Sequence, residues 1–68
     1  MQKEVLNFSK NLRKIRLSKK LSQGDVAKVF GVHRSYISGL ERGVRNPSLV
    51  TVQKVAKALG VSADRLIK

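Results

Sequence analysis

The sequence predicts an all-α fold of five helices within a single domain over residues 1–68. Apolar residues recur at steps of three and four along most of the chain, which is the period of a helix with one buried face. No run alternates with the period of two that a strand would show, although valine is common. Residues typical of helix caps separate the periodic segments. These observations favour helices throughout.

The first helix is predicted over Glu4–Lys20, where Lys, Arg and Asn occupy most positions outside the apolar stripe. The stripe comprises Val5, Phe8, Leu12 and Ile15. Ser22 and Asp25 then match a capping box, in which each residue's side chain bonds the other's main-chain amide. The second helix is therefore predicted to begin there and to run to about Phe30.

Gly31 permits a positive φ angle at the next turn, and a third helix is predicted over His33–Arg42 with Gly43 as its carboxyl-terminal cap. The segment Arg45–Ser48 supplies a turn and the amino-terminal cap of a fourth helix, which spans residues 49–59 and ends at Gly60. A short fifth helix is predicted after a cap at Ser62. Its apolar residues are Ala63, Leu66 and Ile67.

The charge balance predicts a polyanionic partner. Lys and Arg number 15 against 4 Asp and Glu, a net charge of +11, and the 41% hydrophobic content argues against a disordered basic tail. Nucleic acid is the commonest such partner and an anionic membrane surface the next. No apolar run suggests a membrane span or a signal peptide, so a soluble cytoplasmic protein is expected.

Small size and residue usage further restrict the expected sources of stability and the kinds of site. A chain of 68 residues gains little stability from its core, and with no cysteine for disulfides, oligomerisation is the expected source of additional stability. One histidine and no cysteine give no basis for a metal site or a cofactor.

The middle of the chain matches a helix-turn-helix, two short helices joined by a glycine-bearing turn. Ala27 is small where the two helices would cross, and Gly31 lies at the turn. The other constrained positions are apolar and are predicted to face a shared core. They are Val26, Phe30, Val32, Ile37 and Leu40. Seven constraints met within one 20-residue window make the motif specific.

The stretch Leu12–Ile67 resembles the Cro and phage-repressor-like (XRE-type) helix-turn-helix family, with the segments LSQ, LERG and ALGV carrying the resemblance. Within it, the run YISGLERGVRNPSL is similar to the controller proteins of bacterial restriction-modification systems. The resemblance implies a lambda-repressor-like DNA-binding domain. It also implies a transcription regulator that acts on the promoters of its own gene and of a partner restriction endonuclease gene.

The second helix of this motif enters the major groove, so its outward residues are expected to meet base edges. These residues are Arg34, Ser35, Ser38 and Arg42. Arg34 is the main candidate because its planar fork can donate to guanine O6 and N7, with a phosphate contact as the alternative. Ser38 could equally be part of a plain helix surface. Gly39, unusual inside a helix, would permit either close approach to DNA or close packing of helices.

The resemblance assigns Gln23 to a phosphate at the start of the second helix, and the hydroxyl of Tyr36 to the DNA backbone with core packing as the alternative. It also places Arg45 and Asn46 against DNA in the loop after the third helix, where a solvated turn is the alternative. His33 is interpreted either as a neighbour of a phosphate or as a turn residue.

The same resemblance pairs Arg16 with Glu41 in a partly buried salt bridge, with a solvated arginine as the alternative. Such a pair would make Arg16 a structural residue rather than a DNA contact. The other basic residues of this region are interpreted as a solvated face. They are Lys10, Arg13, Lys14, Lys19 and Lys20.

A domain this small contacts too few base pairs to locate a site in a genome, so a homodimer on a palindromic double-stranded DNA operator is expected. The outer residues of the fourth helix, together with Leu66 and Ile67, are the expected dimer contacts. Activation would require contact with RNA polymerase, for which the sequence marks no surface.

Three other classes of function compete with this interpretation. An antitoxin or phage-type repressor module would act with a protein partner. RNA binding would expect exposed aromatic residues, yet Phe8 and Phe30 are assigned to the core and only Tyr36 is left. An enzyme is disfavoured because no pair of carboxylates is free of a structural role.

Overall fold

Five helices make up the part of the chain that the structure describes. The computed structural model covers the backbone of residues 3–68 and the side chains from Leu6 onward, so Val5, predicted in the stripe of the first helix, lies outside the described side chains. The helices are α1 (Lys3–Ser18), α2 (Gln23–Phe30), α3 (Arg34–Glu41), α4 (Leu49–Leu59) and α5 (Asp64–Ile67). The all-α prediction is confirmed over this range, in which no helix is both long enough and apolar enough to cross a bilayer.

One hydrophobic core joins the five helices. Helix α1 packs against α3 and α5, whereas α2 packs against α3 and α4. The buried apolar side chains are Phe8, Leu12, Ile15, Val26, Ala27, Ile37, Leu40, Val52, Val55, Ala56, Leu59 and Leu66. Helices α2 to α5 are 4 to 11 residues long, too short to be stable alone in water. Their stability therefore comes from this shared burial.

The predicted caps at the starts of α2 and α4 are confirmed. The Asp25 amide donates to Ser22 Oγ over 2.9 Å, and the Ser22 amide donates to Asp25 Oδ2 over 2.8 Å, which completes the capping box. Ser48 caps α4 by accepting from the Thr51 amide over 3.1 Å. These bonds satisfy amides that have no partner within their own helix.

Helices α1 to α4 end in a similar hydrogen-bonded turn of the Schellman type, in which a residue with positive φ follows the helix. After α3 this residue is Gly43, with φ of 74°, and the Val44 amide reaches back to the Gly39 carbonyl over 3.1 Å. After α1 the residue is Lys20, with φ of 58°. Helix α1 therefore ends at Ser18 rather than at the predicted Lys20, because the left-handed residue ends the helical hydrogen bonds.

The turn between α2 and α3 also matches the prediction. Gly31 has φ of 87°, and the Val32 amide donates to the Ala27 carbonyl over 3.0 Å. Ala27 is buried in the core where the two helices pack together. Its small side chain therefore permits α2 and α3 to pack closely.

Two predictions about the carboxyl-terminal helix are wrong. Ser62 does not cap α5, because the helix begins at Asp64, so Ala63 occupies the cap position and no side chain caps the helix. Leu66 was expected in a dimer interface but is fully buried, since α5 packs against α1 and the Asn11 Nδ2 group donates to the Leu66 carbonyl over 2.9 Å. Ile67 is 54% exposed and stays available.

A buried ion pair joins α1 to α3, as the resemblance implied. The guanidinium of Arg16 donates from Nε and Nη2 to the two carboxylate oxygens of Glu41, over 2.5 and 3.0 Å, and from Nη1 to the Leu21 carbonyl over 2.8 Å. Hydrogen bonding to Glu41, which outweighs the opposing effect of burial, raises the pKa of Arg16 above its usual range. The guanidinium therefore stays charged at every pH at which the protein would be handled.

Replacing Glu41 with Ala is expected to cost about 3–5 kcal/mol of unfolding free energy, because it leaves the Arg16 charge buried without a partner. Urea denaturation followed by circular dichroism measures this cost. Glu41→Gln, which retains an oxygen acceptor without the charge, serves as the control and should lose less. A loss below about 1 kcal/mol for Glu41→Ala, the range of solvated surface pairs, would contradict a buried pair.

The capping box predicts a pH dependence in the acid range. Hydrogen bonding to Ser22 lowers the pKa of Asp25 below its usual 3.8, with the Ser22 amide as the larger cause and the Ser22 hydroxyl as the second. Because the pKa is lower in the folded state, the carboxylate's contribution to stability is complete above about pH 5 and is lost as pH falls through the lowered pKa. A carbon-detected NMR titration should place the Asp25 midpoint below 3.8. A midpoint at or above that value would contradict the cap.

Candidate nucleic-acid interface

The outer face of α3 carries the residues predicted to read DNA. Arg34, Ser38 and Arg42 are four residues apart and so share one side of the helix, where Arg34 and Arg42 are exposed and Ser38 is half-buried. The opposite side is anchored by Ile37 and Leu40, whose exposed fraction is zero. This anchoring fixes the rotation of α3, so that its polar face points away from the protein.

His33 precedes this face as the amino-terminal cap of α3. Its Nδ1 atom accepts from the Ser35 amide over 3.1 Å and lies 2.9 Å from Ser35 Oγ. A neutral ring that accepts at Nδ1 carries its proton on Nε2, which leaves that N–H as a donor. The structure thus places His33 in the turn as the cap of α3, and its contact with a phosphate stays a prediction. Both His33 and Ser35 are exposed beside Arg34.

Gln23 lies at the first position of α2 and is connected to the ion pair. Its Nε2 group donates to Glu41 Oε1 over 3.2 Å, and its side chain is half-buried. A side-chain amide has two donor hydrogens, so the one not used by Glu41 can be offered to a phosphate oxygen. Glu41 thus accepts from residues of both α1 and α2.

Tyr36 and Arg45 stack on each other beside the outer face of α3. The Arg45 Cζ atom lies 5.3 Å from the centroid of the Tyr36 ring, and the Phe30 ring contacts the same tyrosine at 5.9 Å between centroids. The Tyr36 hydroxyl lies 3.5 Å from Thr51 Oγ1, in the first turn of α4. Tyr36 is half-buried, whereas Arg45 and Asn46 are exposed in the loop between α3 and α4.

This surface has one sign of charge. Between His33 and Ser48 the sequence contains a single acidic residue, Glu41, whose side chain is 4% exposed and paired with Arg16. The three arginines of this segment therefore have no exposed carboxylate near them along the chain. Such a surface attracts a polyanion rather than an apolar ligand.

Two contacts within this interface were not predicted from the sequence. Glu41 was paired with Arg16 but not with Gln23, because nothing in the local pattern of α2 signals a partner 18 residues away. The stacking of Arg45 on Tyr36 was also missed. The signal that could have indicated it is Gly39, a glycine inside a helix, three residues after Tyr36.

Comparison with known proteins independently supports the helix-turn-helix interpretation. A family model described as helix-turn-helix matches residues 12–66. The control protein C.BamHI of Bacillus amyloliquefaciens is 48% identical over 63 residues, which cover 91% of this chain and 78% of that protein.

Two solved structures of restriction-modification controller proteins resemble the fold. C.AhdI from Aeromonas hydrophila has a TM-score of 0.88 at 42% identity, covering 96% of this chain and 98% of the other. C.Esp1396I, solved as a tetramer in complex with its natural 35 base-pair operator, has a TM-score of 0.87 at 30% identity and covers all of both chains. The chain therefore belongs to the helix-turn-helix family, in its Cro and phage-repressor-like group, and is similar there to restriction-modification controller proteins.

Proposed function

We propose that this protein is a transcription regulator that binds a palindromic operator as a homodimer and controls the genes of a restriction-modification system. The observation that carries the proposal is the outer face of α3, where Arg34, Ser38 and Arg42 project from a helix anchored by buried residues. C.Esp1396I, a relative of the same fold, is bound to its operator. The similarity to C.BamHI and C.AhdI supports the restriction-modification context.

The proposed contacts divide into reading and positioning groups. Arg34 is at the amino end of α3, where a bidentate bond to guanine specifies a base, with Ser35 and Ser38 short enough to permit close approach. Gln23 and His33 offer side-chain N–H donors that suit phosphate oxygens, and such contacts fix register without reading sequence.

Three residues complete the proposed interface. Arg42 lies on the same face of α3 as Arg34, and Arg45 and Asn46 extend the surface into the loop that follows the helix. Arg42 and Arg45 add positive charge along the path of the DNA backbone, whereas Asn46 adds an uncharged donor and acceptor.

A dimer is proposed because one copy of α3 spans only part of an operator. Exposed apolar side chains are available on α4 and α5, where Leu49, Val50 and Ile67 are 73%, 57% and 54% exposed. Leu66 is excluded because it belongs to the core of its own chain. C.Esp1396I forms a tetramer on its operator, which supports assembly on DNA.

We also propose that the protein has no catalytic activity and that it acts in the cytoplasm. Three of its four acidic residues have structural partners in the described part of the chain: Asp25 in the cap, Glu41 with Arg16, and Asp64 with Lys68. Paired in this way, they do not form the two free carboxylates that general acid and base catalysis would use. A chain without cysteine suits a reducing compartment in which DNA is available.

Replacing Arg34 with Ala and replacing Gln23 with Ala are expected to change DNA binding in different ways. Arg34→Ala should cost roughly 1–3 kcal/mol per half-site at one symmetric pair of operator positions, with smaller losses on unrelated DNA. Gln23→Ala should weaken binding to all sequences by a similar factor. Since Gln23 is uncharged, the salt dependence should stay nearly unchanged. Titration against single-base operator variants at two salt concentrations measures both effects.

Arg13, an exposed arginine of α1, provides the control. Arg13→Ala should leave base preference unchanged, whether or not it lowers overall affinity. Should Arg34→Ala reduce affinity equally for every operator variant, Arg34 would be a backbone contact and not the base-reading residue.

The proposed dimer predicts different effects for two neighbouring residues. Ile67→Ser should raise the dimer dissociation constant at least tenfold, because each copy loses roughly 1 kcal/mol or more of apolar burial in a symmetric interface. Leu66→Ser should instead destabilise the monomer fold. Sedimentation equilibrium and thermal unfolding across a range of protein concentrations separate the two. A monomeric unvaried protein at tens of micromolar would contradict the dimer.

A further inference from the structure

Gly39 lies in the middle of α3 although glycine is among the least favourable residues for a helix interior. A Cβ atom at this position would be crowded by the side chain of Arg45, which would have to shift by a few tenths of an ångström. Its Cγ and Cδ atoms lie 3.3 Å from that position and its Nε atom 3.4 Å. Gly39 is therefore the site at which the stem of Arg45 crosses the helix. Close packing, and not an open gap, accounts for the missing side chain.

The charged end of Arg45 is fixed by a second contact. Its guanidinium carbon lies 5.3 Å from the centroid of the Tyr36 ring, within the range of a cation–π interaction. Tyr36 is itself immobilised by packing against the core, by its contact with Phe30 and by the position of its hydroxyl near Thr51. Stem and head of one arginine are thus held by two residues one helical turn apart.

The loop that carries Arg45 is fixed at both ends. The Gly43 turn closes α3, with the Val44 amide bonded to the Gly39 carbonyl over 3.1 Å, and Ser48 caps α4. An exposed arginine on a free loop would lose its rotamer freedom only on binding, which reduces affinity. Here much of that ordering is already present in the protein without DNA.

We propose that the groove formed by Tyr36 and Gly39 on α3 positions Arg45 to contact DNA. This inference rests on the proposed operator binding and adds to it a role for Tyr36 through its ring and for Gly39 through its lack of a side chain. Both are positioning residues, and Arg45 is the residue that meets the DNA. The competing explanation is that Gly39 lets the DNA itself approach α3.

A double-mutant cycle separates these explanations. Gly39→Ala should lower operator affinity about two- to fivefold, the range expected when an exposed cation–π contact is lost. In an Arg45→Ala background the same substitution should have no further effect, because the displaced side chain is already absent. An equal loss in both backgrounds would show that the new methyl group meets the DNA. No loss in the unvaried background would also overturn the inference.

Arg42, an exposed arginine also near the end of α3, supplies the matched control. Gly39→Ala and Arg42→Ala should have additive effects on affinity, since Arg42 does not share the groove. Circular dichroism of each variant checks that helix content is retained, which alanine favours at this position. If the unvaried protein binds no palindromic operator, the proposed function is contradicted. That outcome is distinct from failure of the groove, which is judged only from differences between variants.

Two aromatic-position variants test the ring separately from the hydroxyl. In a Tyr36→Phe background, Arg45→Ala should lower operator affinity as it does in the unvaried protein. In a Tyr36→Leu background, Arg45→Ala should have no such effect. In the unvaried protein without DNA, the Arg45 side-chain protons should be shifted upfield by the ring and its Nε–H should be more rigid than that of Arg42 by NMR relaxation. Equal mobility with no ring-induced shift would contradict the groove without any variant having to fold.

Discussion

The arrangement of α1, α2 and α3 depends on one buried carboxylate, that of Glu41. It accepts two hydrogen bonds from Arg16 on α1 and one from Gln23 on α2, while it sits at the last position of α3. Arg16 also binds the Leu21 carbonyl, which closes the turn before α2. A hydrophobic core alone would tolerate rotation of short helices, whereas these directional bonds specify one geometry.

Function follows from what this arrangement leaves exposed. The charge of Glu41 is paired with Arg16 inside the protein. The arginines of α3 and of the loop that follows it therefore face solvent with no other acidic residue between His33 and Ser48. The same carboxylate orients the side chain of Gln23 at the start of α2. The cap at His33 fixes the amino end of α3, and the turn at Gly43 fixes its carboxyl end. The protein therefore offers a rigid cationic surface before DNA arrives.

Local rules predicted most of this fold because most of its signals are local. The capping box of Ser22, the positive φ of Gly31 and the apolar stripes were all readable within a few residues. Lys20 was missed because a lysine in the left-handed conformation carries no sequence signal of the kind glycine provides. Leu66 was placed wrongly because burial of α5 depends on α1, far away along the chain.

The helical period predicted that Arg34 and Arg42 share the outer face of α3, whereas the bond between Gln23 and Glu41 has no local signal because it exists only after folding. Operator affinity of the double variant Arg16→Met with Glu41→Leu tests whether the buried carboxylate of Glu41 sets the geometry of the binding surface. Because no charge is left buried alone, its stability should stay within about 1–2 kcal/mol of the unvaried protein. Its affinity should nevertheless fall about tenfold, as loss of a hydrogen bond to a charged group implies. A folded double variant with unchanged affinity would contradict the account.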